Sequence, residues 1–344
     1  MIRPLTLFLC ALLVAALLTV SVLALSIGQI VIPPVEAVAA LFGSGDQMTR
    51  DIVTELRMPR LLTALLSGAA LAVAGVVLQS LFMNPLADSW SMGLLAGGQL
   101  GAAVVIVAGS VVGSEFLSGL TVLANLGSLV GAAAGMAAVA TFMLAVSRRV
   151  GTVTLLVTGL MLGFLAQGLV SVLLHFTNRT QGRIFASWND ADFAGVAPAD
   201  LPELTIPVLA GFFMVLLLAK SLSTLQLGET YAVSLGVDLA RLRRGVLAAI
   251  LLLAAPVVAF CGPVMFIGLI APHIARQIVG SARLSAVIPV VVLVGALLAV
   301  LGDFVVHLPW EQHWLHLNAI LALVGAPVVI GILLRGGDSG SALR

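Results

Sequence analysis

Long segments without a charged residue constrain this sequence more than any other feature. A helix needs about 20 apolar residues to cross a membrane, and an ionised group near the middle of the bilayer is costly. Nine charge-free segments reach that length or nearly so: Pro4–Val35, Leu61–Ala87, Ser89–Ser114, Phe116–Ser147, Val150–Asn178, Leu204–Ala219, Gly245–Ala275, Leu284–Gly302 and Gln312–Leu334. Outer-membrane barrels instead show alternating strands of about 10 residues. The sequence therefore predicts an all-α, polytopic membrane bundle.

Composition excludes the other broad classes of protein. Only 9% of the residues are charged and 61% are apolar, whereas soluble domains carry about a quarter charged residues. The net charge of +1 offers no basic surface to nucleic acid. Cys10 and Cys261 lie apart in apolar segments, which disfavours a disulfide or a metal site. We expect no metal, no cofactor, no catalytic residue and no nucleic-acid partner.

The distribution of Lys and Arg decides between nine helices and ten. The segment Gly245–Ala275 is too long for one span and contains Gly262-Pro263, a pair that commonly ends helices. With a break there, 11 of the 16 Lys and Arg residues fall on one side and 5 on the other. Basic residues are enriched in cytoplasmic loops. The sequence therefore predicts ten helices, with both termini in the cytoplasm.

We expect a single transmembrane domain over residues 1–344. Its ten helices are predicted at about 5–32, 61–83, 91–112, 119–146, 152–175, 204–222, 245–261, 264–279, 285–306 and 316–335. The external segment Pro33–Arg60 has room for a short amphipathic helix. On the cytoplasmic side, Gln226–Arg244 is about three times as long as a plain connector needs to be. That length suggests a surface on which a soluble protein docks.

No nucleotide-binding motif accompanies the predicted helices. A P-loop requires G-x-x-x-x-G-K-[ST], and the only lysine, Lys220, has no glycine-rich turn before it. Hydrolysis of ATP is therefore expected on another chain, and this chain is not itself an enzyme. An ion-driven secondary transporter stays open as an alternative. It is weakened because Asp88, Asp303, His175 and His273 all lie near predicted helix ends.

Several segments together resemble one family of permeases. They occur in the family's order and are Arg57-Met58-Pro59-Arg60-Leu61, Asn84-Pro85-Leu86-Ala87-Asp88, Leu235-Gly236-Val237, the run Gly262–Arg276 with Gly268, Pro272 and His273, then Gly302-Asp303 and Gly325-Ala326-Pro327. These segments resemble the FecCD-type permeases of ABC importers for iron–siderophores, haem and vitamin B12. The resemblance covers the chain from about Arg57 to Leu334.

The resemblance implies ten helices per subunit and a set of partners. These are a second permease subunit, identical or different, two cytoplasmic ABC ATPase subunits, a periplasmic substrate-binding protein and the lipid of a bacterial inner membrane. An iron chelate is the expected substrate, with haem or vitamin B12 as the alternative. The cytoplasmic segment at about 226–241 is implied to be the loop that couples the permease to its ATPase.

Individual site residues follow from the matched positions. The resemblance assigns ATPase coupling to Glu229, Leu235, Gly236, Val237 and Arg241. It assigns docking of the binding protein to Arg57 and Arg60, because arginine binds carboxylates through two parallel hydrogen bonds. His307 occupies a position where the family commonly has a third external arginine. Structural roles are implied for the remaining motif residues, which are Asn84, Pro85, Gly268, Pro272, His273, Gly325 and Pro327.

Overall fold

A computed structural model describes residues 4–112, 121–147, 149–177, 179–281, 283–310 and 315–339. Every regular element among these residues is helical. The α-helices are α1 (Pro4–Ser26), α2 (Pro34–Leu41), α3 (Gln47–Asp51), α4 (Met58–Leu81), α5 (Leu94–Val112), α6 (Thr121–Ser147), α7 (Thr152–His175), α8 (Arg179–Asn189), α9 (Leu201–Leu225), α10 (Glu229–Ser234), α11 (Leu239–Cys261), α12 (Ile267–Val279), α13 (Leu284–Val306) and α14 (Leu317–Ser339).

Ten apolar helices within the described residues are candidates to cross the membrane. Seven have the length and hydropathy of a span, namely those containing Leu5–Ser26, Gln47–Leu81, Gly127–Ser147, Val153–His175, Leu201–Leu225, Leu239–Cys261 and Leu284–Val306. Three shorter apolar helices cover Leu94–Ala108, Ile267–Val279 and Leu317–Gly331. The predicted fold class, an all-α bundle of about ten membrane helices, is confirmed.

The glycine–proline pair at 262–263 separates two helices. Helix α11 continues through Pro256 and ends at Cys261, where Gly262 adopts φ +72°. Helix α12 begins at Ile267, after Phe266 in the left-handed region. Asn318 of α14 forms hydrogen bonds with the backbone between the two helices. Its side-chain Nδ2 donates to the Pro263 carbonyl at 2.8 Å, and its Oδ1 accepts from the Met265 backbone N–H at 3.0 Å.

Helix α4 lies at the centre of the bundle. In its most apolar stretch 83% of the residues are buried, against 6% for α1, whose side chains face outward. Glycines allow close backbone contact, because a Cβ at Gly68 would overlap the Gly295 carbonyl of α13. A Cβ at Gly75 would likewise overlap the Gly268 carbonyl of α12. Helix α4 is therefore fixed against both neighbours.

A second pair of helices meets through four-residue glycine spacing. Gly97 and Gly101 of α5 face Gly135 and Gly131 of α6, so that a Cβ at either α5 position would overlap a carbonyl group of the opposing helix. Such spacing lets the backbones of membrane helices approach closely. The glycines therefore serve helix packing at this contact.

A π-helical segment joins α3 to α4. Residues Ile52–Arg57 form a π-helix, and the helical chain is continuous from Gln47 to Leu81. Such segments are rare and are frequent at functional sites. Here the π-helix brings Arg57 to the junction between α4 and the end of α1.

Candidate docking and coupling surfaces

The outer face, named for the side on which the charge distribution predicts it to lie and defined here as residues 27–60, 189–200 and 307–310, carries the arginines of the R-x-P-R motif. Arg57 is only 6% exposed. Its guanidinium donates one hydrogen bond to the Leu25 carbonyl at 2.7 Å and another to the Ile30 carbonyl. These carbonyls belong to the end of α1 and the segment that follows it. Arg57 therefore holds the outer end of α1 against α4.

Arg60 belongs to an ion-pair network at the same face. Its Nε lies 3.1 Å from Oδ2 of Asp303, a residue of α13 whose side chain is 2% exposed. Nδ1 of His307 lies 3.2 Å from the other oxygen of Asp303, and Nε2 of His307 lies 3.9 Å from Oδ1 of Asp192. The network thus joins α4, α13 and the segment after α8.

His307 is the titratable residue at the centre of this network. Burial by itself would lower its pKa, but the hydrogen bond and negative charge of Asp303 outweigh burial and place the pKa above its ordinary value. The charge of Arg60 opposes this rise. The imidazole of His307 lies between the carboxylates of Asp303 and Asp192, an arrangement that favours its protonated form.

The same three side chains have the composition of a metal site. Asp192, Asp303 and His307 each offer a ligand atom, and these atoms lie within 4.8 Å of one another. The guanidinium of Arg60 is already paired with the Asp303 carboxylate and supplies the positive charge that a metal would bring. We therefore interpret the cluster as an ion-pair network.

A groove opens beside these residues on the outer face. Its volume is about 600 Å³, and its walls come from residues 28–30 after α1, the π-helix and residues 194–198. Glu55 and Leu56 lie on its wall, and both are exposed. Arg57, Arg60 and His307 also contact the groove. The predicted docking residues are thus brought together, although the two guanidinium groups are engaged in internal bonds.

The L-G-V motif caps a short helix on the opposite face, which is predicted to be cytoplasmic and is called here the inner face. Helix α10 ends in a Schellman motif, in which the Gly236 amide bonds to the Val233 carbonyl at 2.9 Å and the Val237 amide to the Ala232 carbonyl at 3.0 Å. Gly236 has φ +82°, a left-handed conformation that favours glycine. The motif therefore sets the direction in which the chain leaves α10.

Several side chains of this hairpin are exposed. The inner hairpin, defined here as Gln226–Arg241, exposes apolar groups, with Leu235 59% exposed and Tyr231 50% exposed. Arg241 is 84% exposed, and Asp238 accepts a hydrogen bond from its backbone amide at 3.0 Å, which lowers the pKa of Asp238. A groove of about 610 Å³ borders Leu235, Val237 and Arg241. Exposed apolar groups beside an exposed ion pair, Arg241 with Asp238, suit a protein-binding surface.

An ion pair fixes the orientation of α10. Glu229 accepts a hydrogen bond from Arg243 of α11 at 2.6 Å, and the Arg243 side chain is 15% exposed. Sequence reasoning assigned Glu229 to the coupling surface and missed Arg243. The only available signal was the basic run Arg241–Arg244 at the start of α11, and that run does not say which arginine turns inward.

The Asn-Pro motif forms a buried turn between α4 and α5. Asn84 is 2% exposed, and its Oδ1 accepts a hydrogen bond from the Leu86 amide at 3.0 Å. Pro85 follows in the same turn. The carboxylate of Asp88 lies against Gly268 in the first turn of α12, where a Cβ would overlap it. A carboxylate is favoured at that position by the positive end of the helix dipole.

The remaining motif residues lie in or just before helices α12 and α14. Pro272 is buried inside α12, and Nδ1 of His273 lies 2.9 Å from the Leu269 carbonyl of the same helix. Gly325 of α14 lies against Phe266, since a Cβ there would be 2.8 Å from the Phe266 ring. Pro327 lies two residues further along α14. Pro272 and Gly325, like Gly268, contribute to helix packing, whereas Pro327 is exposed.

The full chain matches known proteins over nearly its whole length. The family model of the FecCD transport family matches residues 13–335. The vitamin B12 import permease BtuC of Vibrio cholerae is 32% identical over 330 residues, which cover 95% of this chain and 94% of the relative. The iron(3+)-hydroxamate import permease FhuG of Bacillus subtilis is 30% identical, covering 91% and 92%. The Fe(3+) dicitrate permease FecC of Escherichia coli is 32% identical, covering 87% and 88%.

A solved structure agrees with these sequence matches. It is described as an inward-facing conformation of a metal-chelate type ABC transporter, and it aligns with a TM-score of 0.75 and 27% identity. The alignment covers 94% of this chain and 97% of that one. The predicted resemblance is confirmed, and the chain belongs to the FecCD transport family.

Proposed function

We propose that this chain is the permease subunit of an ABC importer that carries an iron chelate from the periplasm to the cytoplasm across a bacterial inner membrane. Two of the similar permeases are named for ferric hydroxamate and ferric dicitrate import. The similar solved structure is of a metal-chelate type transporter. The iron chelate is the substrate and not a resident cofactor.

Exposure of apolar side chains on the inner hairpin is the main support for this proposal. Its apolar side chains Tyr231, Val233 and Leu235 are exposed on a rigid helix whose ends are fixed by the Glu229–Arg243 pair and the Gly236 turn. A separate ATPase that binds this surface supplies the energy of transport. Binding and hydrolysis of ATP move the hairpin, and its motion tilts the helices so that the pathway opens to each side in turn.

The outer face is the proposed docking site of a substrate-binding protein. The groove beside Glu55 and Leu56 accommodates a loop of that protein. Arg60 and His307 border the groove, and the predicted role of Arg57, Arg60 and His307 in docking remains part of this proposal. A second copy of the chain completes the pathway, and lipid surrounds the outward-facing helices such as α1.

Vitamin B12 is the second candidate substrate, with haem the other alternative within the family. The Vibrio cholerae relative, at 32% identity over nearly the whole chain, is a vitamin B12 permease. A binding protein that delivers the substrate, and not the permease, is expected to select among these ligands.

Transport by reconstituted vesicles tests the proposal. The permease is assembled with its ATPase and binding protein, and uptake of radio-iron is measured with a panel of siderophores, with haem and vitamin B12 in parallel. We expect uptake of an iron chelate that requires ATP and the binding protein. Uptake that continues without the ATPase would instead indicate an ion-driven secondary transporter. ATP-dependent uptake of vitamin B12 or haem alone would replace the iron chelate as the substrate.

A further inference from the structure

Two adjacent residues at the inner end of α4 bond to two different parts of the molecule. Gln79 is 3% exposed and Ser80 is 2% exposed. Successive residues of an α-helix point about 100° apart, because one turn contains 3.6 residues. Their side chains therefore leave the helix in different directions and reach different neighbours.

Ser80 bonds to the inner hairpin. The side-chain amide of Gln226 donates from Nε2 to the Ser80 hydroxyl oxygen at 2.9 Å. The Ser80 hydroxyl itself donates to the Val76 carbonyl at 2.8 Å. Gln226 immediately follows the last residue of α9 and lies three residues before α10. The hydrogen bond therefore ties the base of the hairpin to α4.

Gln79 bonds to α12 on another side of α4. Its Oε1 accepts a hydrogen bond of 2.5 Å from Nη2 of Arg276, which lies in the last turn of α12. In the described part of the chain, no carboxylate lies within 4.0 Å of the Arg276 guanidinium. The neutral amide of Gln79 is thus the side chain that holds this cation in place.

Helix α12 in turn is closely linked to the rest of the bundle. Its first turn packs against α4 at Gly75 and beneath the Asp88 carboxylate, and Phe266, just before it, packs against Gly325 of α14. These contacts leave no room for a side chain at the glycines, so a displacement at one end of α12 cannot be absorbed by local repacking.

We propose that Gln79 and Ser80 form the joint that passes motion of the inner hairpin to the membrane helices. Ser80 receives the displacement through Gln226, and Gln79 passes it to α12 through Arg276. Both are positioning residues for transport. This proposal rests on the proposed function, in which an ATPase drives the hairpin.

The joint is tested by measuring uptake and ATP hydrolysis in the same reconstituted vesicles. The variants are Ser80→Ala, Gln226→Ala and Gln79→Leu. Gln226 is half-buried at the surface, so that Gln226→Ala leaves the packed interior unchanged. We expect each variant to bind the ATPase and hydrolyse ATP at near the native rate while uptake per ATP falls about ten-fold. Gln79→Glu keeps an acceptor for Arg276 and is expected to restore uptake.

Ser223→Ala is the matched control for Ser80→Ala. Among the described residues the Ser223 hydroxyl donates to the Ala219 carbonyl of its own helix at 2.8 Å and to no other group, so its removal is expected to leave uptake per ATP unchanged. Because the two bonds act in series, the double variant Gln79→Leu/Ser80→Ala is expected to lose no more than the more severe single variant.

Three results would overturn the proposed joint. The first is native uptake per ATP in all three variants, and the second is an equal fall of uptake and hydrolysis that Gln79→Glu does not reverse. The third is a double variant whose loss equals the product of the two single losses. If the native protein shows no ATP-dependent uptake, the proposed function fails instead. The two failures are therefore distinguishable.

Discussion

Two arginines on opposite faces of the molecule lie in opposite environments. Arg57 on the outer face is 6% exposed and donates to two carbonyl groups, whereas the side chain of Arg241 on the inner face is 84% exposed. Both were predicted to contact a partner protein. Arg57 and Arg60 therefore stabilise the packing of α1, α4 and α13, while the inner hairpin keeps Arg241 exposed to a partner.

The largest effect is expected from Arg60→Ala. Removal of this guanidinium leaves the Asp303 carboxylate buried without its nearest cation, and breaking a buried ion pair costs about 3–5 kcal/mol. Unfolding of the purified permease in denaturant, compared with the native protein, measures the loss. Adding Asp303→Asn to Arg60→Ala removes the unpaired charge and is expected to restore most of the lost free energy of unfolding. If Arg60→Ala is as stable as the native protein but no longer binds the binding protein, Arg60 acts in docking alone.

Leu235→Asp is expected to have the next largest effect, on binding of the ATPase. A charge on this 59% exposed side chain would be buried by the partner, and residues central to an interface contribute about 2 kcal/mol or more. The affinity should fall about 30-fold, as measured by titration of the solubilised permease with the ATPase. Val31→Asp on the outer face, where Val31 is 68% exposed, is the matched control. Equal losses for both variants would contradict the assignment of the hairpin.

A smaller effect is expected from replacing the buried and the exposed arginine by lysine. Arg57→Lys loses the geometry that lets one group donate to both the Leu25 and Ile30 carbonyls, and a hydrogen bond from a charged group contributes about 1.5–3 kcal/mol. Arg241→Lys should change the free energy of unfolding by less than about 0.5 kcal/mol. Equal stability of the two variants would show that the outer arginine is not structural.

The smallest effect is a pH dependence centred on His307. Its pKa is raised in the folded protein, so the network gains stability that is fully present below the ordinary value of 6.5 and is lost as pH rises through the higher folded value. Unfolding measured from pH 6 to 9 should show this loss in the native protein. His307→Gln keeps a polar side chain and removes the titration, so the difference between the two curves isolates His307. Parallel curves would exclude the effect.

Sequence reasoning worked well for features that depend on local chemistry. Charge-free segments predict membrane helices because they contain no ionised side chain. The pair Gly262-Pro263 predicts a break because such pairs commonly end helices. Pro256, also within the segment, stays inside α11. The L-G-V motif is local in the same sense, since Gly236 supplies the left-handed residue that ends α10.

Side-chain partners could not be predicted in the same way, because they come from distant parts of the chain. Arg243, and not Arg241, turns toward Glu229. Asn318 closes the break at Pro263, which lies 55 residues earlier. A polar residue at the start of an apolar helix was visible in the sequence, but its partner was not.

Hydropathy, charge distribution and motif order were therefore enough to predict a membrane bundle, about ten membrane helices and the family. Only the tertiary structure decided which motif residues are available to partners. Burial of Arg57 depends on carbonyl groups at the end of α1 and in the segment after it, which lie 32 and 27 residues away. Exposure of the inner hairpin likewise depends on how α9 and α11 pack around α4. Such contacts depend on how distant helices pack, so no local sequence pattern predicts them.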